Sequence, residues 1–212
     1  MPEMRMFNAD GSEARMCGNA LRCIGHYIFG LQGVSQTNVL TGGGIHRLAK
    51  VNDSLVQASI GEVKIDPCIH QFTYNQVQFN GHFVEIGNFH FVAQWPQKCN
   101  LFEADNTLLR ESARLFQSDY EMHNVNFFEI IDDRTIKLRT VERGSGETLA
   151  CGTGASSTAA VCVANDLVKS KEVDVIMSGG KLQIGVTLIN NQTLINAVGE
   201  AKTVFRGTYR IE

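Results

Sequence analysis

Apolar and β-branched residues recur in runs of about four to eight positions, bounded by Gly, Asn, Asp or Ser, which is the pattern of strands and turns. The runs are TNVLTG, LVQASI, QVQFNG, HFVEIG, NVNFFEIID, TIKLRTV, VDVIM, KLQIGVTL, TLINAV and KTVFRGTYRIE. Three stretches break the rhythm, Asn19 to Phe29, Asn106 to Phe116 and Gly154 to Val168, where apolar residues fall three and four apart or alanine is dense; these predict helices. The third, ASSTAAVCVANDLV, is small and apolar on most faces, so it is expected inside a wrap of strands. The predicted class is therefore α/β (α+β): many short strands around buried central helices. Pro67 and Cys68 follow IGEVKID and precede a new strand series, so Asp66 to His70 is the expected boundary between two parts.

Composition narrows the function classes. With 43% hydrophobic residues in 212, the chain can bury a full core without disulfide staples. A formal charge of -3 and a pI near 6.1 lack the basic excess of a nucleic-acid or anionic-membrane surface, so neither partner is expected. No apolar run reaches the roughly 20 residues of a membrane span, and MPEMRMFNADG is no signal peptide; the expected location is cytoplasmic. Six cysteines in a reducing compartment are expected to be free, and without a Cys-x-x-Cys pair or an HExxH-like cluster no metal is expected.

An internal repeat carries the chemistry. Ser12-Glu13-Ala-Arg-Met-Cys17-Gly18-Asn19 can be laid over Gly146-Glu147-Thr-Leu-Ala-Cys151-Gly152-Thr153, with Glu, Cys and Gly in register and a predicted helix after each. The separation is too long for a solenoid period and suggests two related halves. The first N-H groups of a helix lack internal partners and carry partial positive charge. A thiol in that place is expected to ionise more readily, its pKa lowered from about 8.5 to roughly 3.5–7.5. Gly18 and Gly152 allow close backbone approach, so each loop can also hold a carboxylate. Two such thiols facing one carbon form an acid and base pair that inverts a stereocentre without a cofactor, provided donors stabilise the emerging charge in a closed site. Cys23 and Cys162 fall within predicted helices and are expected as buried apolar positions; Cys68 and Cys99 have no flanking motif and are read as structural. GSGETLACGTGA has no Gly-Lys-Ser/Thr ending and no G-x-G-x-x-G in frame, which argues against phosphate binding.

The segments FNADGSEARMCGNALRC, GNFHFV, HNVNFF and ERGSGETLACGTGA, in this order, resemble the signature segments of the diaminopimelate epimerase family. The resemblance extends over nearly the whole chain. It implies two pseudo-symmetric halves, each a mixed strand wrap or barrel around a central helix, with the active site in the cleft between them. Residues 1–66, completed by 200–212, form the first half and 67–199 the second. It further implies Cys17 and Cys151 as the two catalytic bases, and Gly18, Asn19, Gly152 and Thr153 as clamps for the reacting carboxylate. Glu142 lies near the reacting amino-acid head, His90 tunes a cysteine, and Asn8, Asn88, Asn124 and Arg143 bind substrate, roles suited to an Arg fork and to amide donors and acceptors.

The implied reaction interconverts LL- and meso-2,6-diaminopimelate in lysine and peptidoglycan-precursor synthesis, with a small amino acid as partner and no cofactor. Family members extend further at the amino end, so the chain is expected to lack opening strands of the first half. That would leave strand edges and one face of the 19–29 helix uncovered, at roughly 25 cal/mol per Å² of apolar area. CGNA, GNFHFV and Phe205 depart from the more usual CGNG, GNPH and tyrosine, which bears on substrate fit and leaves a homodimer open. Racemisation of another amino acid, a non-catalytic remnant, and a redox protein with a reversible Cys17–Cys151 disulfide are the alternative readings.

Overall fold

Local sequence sets where the elements start and stop. The computed structural model describes residues 1–7, 11–96, 100–208 and 210; Asn8 and Cys99 lie outside the described residues. Helix α1 (Gly18–Gln32) runs a turn past the expected end at Phe29, because the stop is Gly33, left-handed at φ 67°, whose N-H returns to the Phe29 carbonyl. The chain forms two compact units, residues 1–58 with 198–212, and 59–197. The expected division at 66/67 and 199/200 differs from this one, which passes through two continuous strands, β5 and β14 below.

The first unit holds the short strands β1 (Met6–Phe7) and β2 (Glu13–Ala14), α1, and the antiparallel series β3 (Gln36–Thr41), β4 (Gly44–Lys50) and the start of β5 (Leu55–Ile65). One face of α1 packs on this sheet through Leu21, Ile28 and Phe29 against Val39, Leu48 and Val56. Gly25 permits the approach: a Cβ there would stand 3.1 Å from both Leu48 and Val56 side chains. The opposite face of α1 exposes Cys23, Tyr27 and Leu31, so Cys23 is not the buried position expected of it.

The second unit is a closed eight-stranded barrel. The strands that follow are β6 (His70–Tyr74), β7 (Val77–Ile86), β8 (Asn88–Gln94), β9 (His123–Ile130), β10 (Thr135–Glu142), β11 (Gly146–Thr148), β12 (Glu172–Met177), β13 (Gly180–Ile189) and β14 (Gln192–Glu200). The ring runs β5-β14-β13-β12-β10-β9-β8-β7 and closes where Lys64 and Ile65 of β5 pair with Glu85 and Val84 of β7. Helix α3 (Gly152–Ala164) threads it, and its Gly, Ala, Ser and Thr side chains are small enough to be buried on every side from Thr153 to Cys162. Buried hydroxyls turn back on the helix, Ser156 to the Gly152 carbonyl and Thr158 to the Gly154 carbonyl, both at 2.8 Å. Helix α2 (Asn106–Asp119), capped by Asp105, lies outside and packs Leu109, Ala113 and Phe116 against Phe79, Phe91, Trp95 and Phe127.

Three expectations change. QVQFNG and HFVEIG are one strand, with Gly81 inside it because a Cβ would stand 2.3 Å from the Val92 carbonyl oxygen. Helix α3 ends at Ala164, four residues before Val168, as Asn165 caps it and Asp166 turns left-handed at φ 54°. KTVFRGTYRIE forms no strand among its described residues. Strands wrapping a central helix hold for the second unit; α1 lies against a sheet on one side only.

Candidate active site

Cys151 is the N-cap of α3, with extended backbone (φ -127°, ψ 110°). Its Sγ accepts a hydrogen bond from the Gly154 N-H at 3.4 Å and lies 3.6 Å from Thr153 Oγ1. Around it the barrel interior is polar. Alternate residues of β9 face opposite ways: Val125 and Phe127 join the outer aromatic cluster, whereas Asn124 and Asn126 face inward. Strand register places His90 of β8 beside Asn124 and Thr140 of β10 beside Asn126. Glu142, at the end of β10, accepts the Thr148 hydroxyl at 2.6 Å, and the Asn124 side-chain oxygen accepts the Arg143 N-H at 2.9 Å. The Arg143 guanidinium is exposed, 3.0 Å from Met122 Sδ, and Asn88 is exposed at the start of β8.

Burial decides the protonation of this cluster. The Cys151 thiol is pushed up to about 12, first by burial and then by the negative charge of Glu142, against the lowering effect of the Thr153 and Gly154 contacts. This corrects the expectation of a thiol made acidic by its helix terminus: one donated N-H and the dipole do not offset the loss of water. Cys162, in the last turn of α3, is likewise raised to about 12 by burial. His90, with no exposed surface, is held down at about 3, by burial first and the neighbouring His123 second, so its ring is neutral.

The first unit repeats the motif. Cys17 is the half-buried N-cap of α1, at φ -142° and ψ 117°, without a side-chain capping bond. Behind it the buried Arg22 donates to the Gly18 carbonyl at 3.3 Å and to the Asn19 side-chain oxygen at 2.8 Å. Gly42 is pressed against this loop, since a Cβ would stand 3.3 Å from the Arg15 carbonyl oxygen. Thus Cys17, Gly18 and Asn19 share one helix start, and His90, Asn124, Glu142, Cys151, Gly152 and Thr153 share one barrel end. Asn8 lies outside the described residues.

Sequence reading passed over Asn126, Thr140, Thr148 and Gly154. Asn126 Nδ2 donates to His90 Nδ1 at 3.0 Å and to the Phe91 carbonyl at 3.1 Å, while its Oδ1 accepts from Thr140 Oγ1 at 3.0 Å. A Cβ on Gly154 would stand 2.4 Å from that same Oδ1. No group of three or more His, Cys, Asp or Glu gathers to hold a metal among the described residues, and no helix among them is long and apolar enough to cross a membrane.

The closed barrel threaded by a helix is a fold this chain shares with solved epimerases and racemases. A hydroxyproline epimerase of Agrobacterium vitis superposes with a TM-score of 0.75 at 15% identity, over 93% of this chain and 67% of its own. A probable proline racemase of Agrobacterium radiobacter gives 0.75 at 14% identity, over 99% and 72%. Beyond the fold, the diaminopimelate epimerase family model matches residues 82–204. Diaminopimelate epimerases of Methanococcus maripaludis and Desulfovibrio desulfuricans are 34% and 35% identical, over 97% and 98% of this chain and 78% and 79% of their own length. The chain belongs to the diaminopimelate epimerase family.

Proposed function

We propose that this protein is an isomerase interconverting LL- and meso-2,6-diaminopimelate by exchanging one α-proton between two thiols. The observation that carries the reading is the same local geometry built twice: Cys17 and Cys151 each cap a helix from an extended backbone with Gly next in line. The Cys151 thiol, protonated in the free protein, is the donor of the pair. With Cys151 as donor, Cys17 takes the proton, and in the reverse direction the two exchange roles.

In the forward step the Cys17 thiolate takes the α-proton, the C-H electron pair passes onto the carbon and its carboxylate, and the Cys151 S-H proton is delivered to the opposite face. The inverted product leaves Cys17 as thiol and Cys151 as thiolate, and proton exchange with solvent resets the pair. In α3 the Ala155 N-H is spent on the Cys151 carbonyl and the Gly154 N-H on Sγ. The N-H groups of Gly152 and Thr153 have no intrahelical acceptor and suit the reacting carboxylate, where fixed dipoles stabilise the developing charge. Gly18 and Asn19 act likewise at α1. Glu142 takes the reacting ammonium, and Asn8, Asn88, Asn124 and Arg143 hold the distal head.

Turnover of LL- or meso-diaminopimelate in deuterated water is expected to place deuterium at the α-carbon. Cys17→Ala and Cys151→Ala should each lose ~100-fold or more of kcat, the scale of a lost general acid or base. Full activity in either variant would refute the two-thiol scheme. Preference for another amino acid in a substrate panel would replace the substrate and keep the chemistry. No turnover by the unaltered chain would favour a non-catalytic family member.

A further inference from the structure

We propose that Asn126 is a positioning residue that fixes the tautomer of His90, so that the ring presents its proton on Nε2, and that seats the first turn of α3 with the same amide. The orientation of the Asn126 amide follows from its neighbours. The carbonyls of Phe91, at 3.1 Å, and Asn124, at 3.4 Å, can only accept, so the group facing them is Nδ2. The Thr140 hydroxyl, at 3.0 Å, serves Oδ1. Of the two Nδ2 protons, one goes to the Phe91 carbonyl and the other to His90 Nδ1 at 3.0 Å, which must meet it with a lone pair, and the Asn124 carbonyl, farther off, is left the weaker, shared contact. A buried, neutral imidazole has one ring proton, and here it is on Nε2. That N-H is fully buried and has no acceptor among the described residues, which marks it as the donor for a group that enters the barrel end.

The other side of the amide acts on the helix. Asn126 Oδ1 occupies the space a side chain at position 154 would need. One residue thus links the ring of His90, the hydroxyl of Thr140 and the turn that holds Cys151 Sγ. Its benefit to catalysis rests on the epimerase reading; the tautomer does not.

The test separates the two. In protein labelled with nitrogen-15 histidine, long-range proton-nitrogen correlation is expected to show the His90 proton on Nε2; a proton on Nδ1 would overturn the proposal, and this measurement needs no variant. Asn126→Asp replaces the donor by an acceptor of the same shape, and by analogy with Asp–His pairs it should bring a proton onto Nδ1. An Nδ1 that stays unprotonated in this variant would also overturn it. In the same variant, incorporation of solvent deuterium into diaminopimelate should fall ~100-fold or more, mainly in kcat; an unchanged rate with a switched tautomer would remove the positioning role. If the unaltered protein incorporates no deuterium while His90 shows Nε2-H, the epimerase reading fails and the tautomer assignment stands.

Discussion

Replacing Gly154 by Ala asks whether the first turn of α3 is as tightly seated as the contacts indicate. The new Cβ would stand 2.4 Å from Asn126 Oδ1, 3.1 Å from Thr140 Oγ1 and 3.3 Å from Cys151 Cβ. Asn126 has no free direction to retreat, because both ends of its amide are hydrogen-bonded and the residue is fully buried. Either the amide gives up a bond, leaving a buried polar atom unsatisfied at about 1–3 kcal/mol, or the helix start shifts at the ~1–3 kcal/mol usual for overpacking. Ala in place of Gly returns up to ~1 kcal/mol of helix propensity. The net is a loss of roughly 1–2 kcal/mol, a Tm fall of roughly 2–8 °C for a chain of this size.

Gly30→Ala is the internal control: Gly30 is helical in α1 with nothing within 4 Å of its would-be Cβ. It should gain about 0.5–1 kcal/mol. Thermal unfolding followed by circular dichroism reads both variants. A Gly154→Ala protein as stable as the parent, alongside a stabilised Gly30→Ala, would refute the tight seating of the Cys151 turn.

Three further outcomes follow from buried ionisable groups. The folded state keeps His90 unprotonated down to about 3, so between about 6.5 and 3 the unfolded chain binds a proton that the native one refuses. Stability should fall with decreasing pH in that window by up to ~1.4 kcal/mol per pH unit, a slope that His90→Gln flattens in denaturant titrations. On the alkaline side the native thiols of Cys151 and Cys162 hold their protons to about 12, so stability should fall as pH rises from about 9, and Cys162→Ala should remove about half of that thiol contribution. Arg139, buried, donates to Glu147, to the Leu101 and Ala104 carbonyls and to Asn106, tying the approach to α2 onto β10. Arg139→Met should cost ~3–5 kcal/mol, read as a lower urea midpoint, because it strands the acceptors left inside.

Much of the fold is written locally. The composition of α3 announces its place: a helix of Gly, Ala, Ser and Thr has no polar face to give to water, and a barrel interior can take no larger one. What local pattern misses is pairing. NFHFVAQ of β8 is buried from His90 to Ala93, so it shows no alternation, and GIHRLAK of β4 is masked by His, Arg and Lys. KTVFRGTYRIE alternates well, yet Val204 and Phe205 are 87% and 81% exposed; a strand needs a neighbour to satisfy its ladder, and β-propensity alone cannot supply one.

At the site the same divide separates position from chemistry. The Glu-x-x-x-Cys-Gly frame before a helix is a local signal, and both cysteines are N-caps. The acidity of Cys151 is a property of its surroundings: the same helix terminus that favours a thiolate in water favours a thiol once the barrel excludes water and Glu142 stands close. Asn126 illustrates the point from the other side. An asparagine between valine and phenylalanine reads as a turn former or a flaw in a strand, because its partners His90 and Thr140 are 36 and 14 residues away in sequence. Inside a barrel that position lets a single amide reach two neighbouring strands and the helix at once. The residues that prepare a buried thiol are therefore found by register, since the strand to the left and the strand to the right must both be known before the polar residue between them has a meaning.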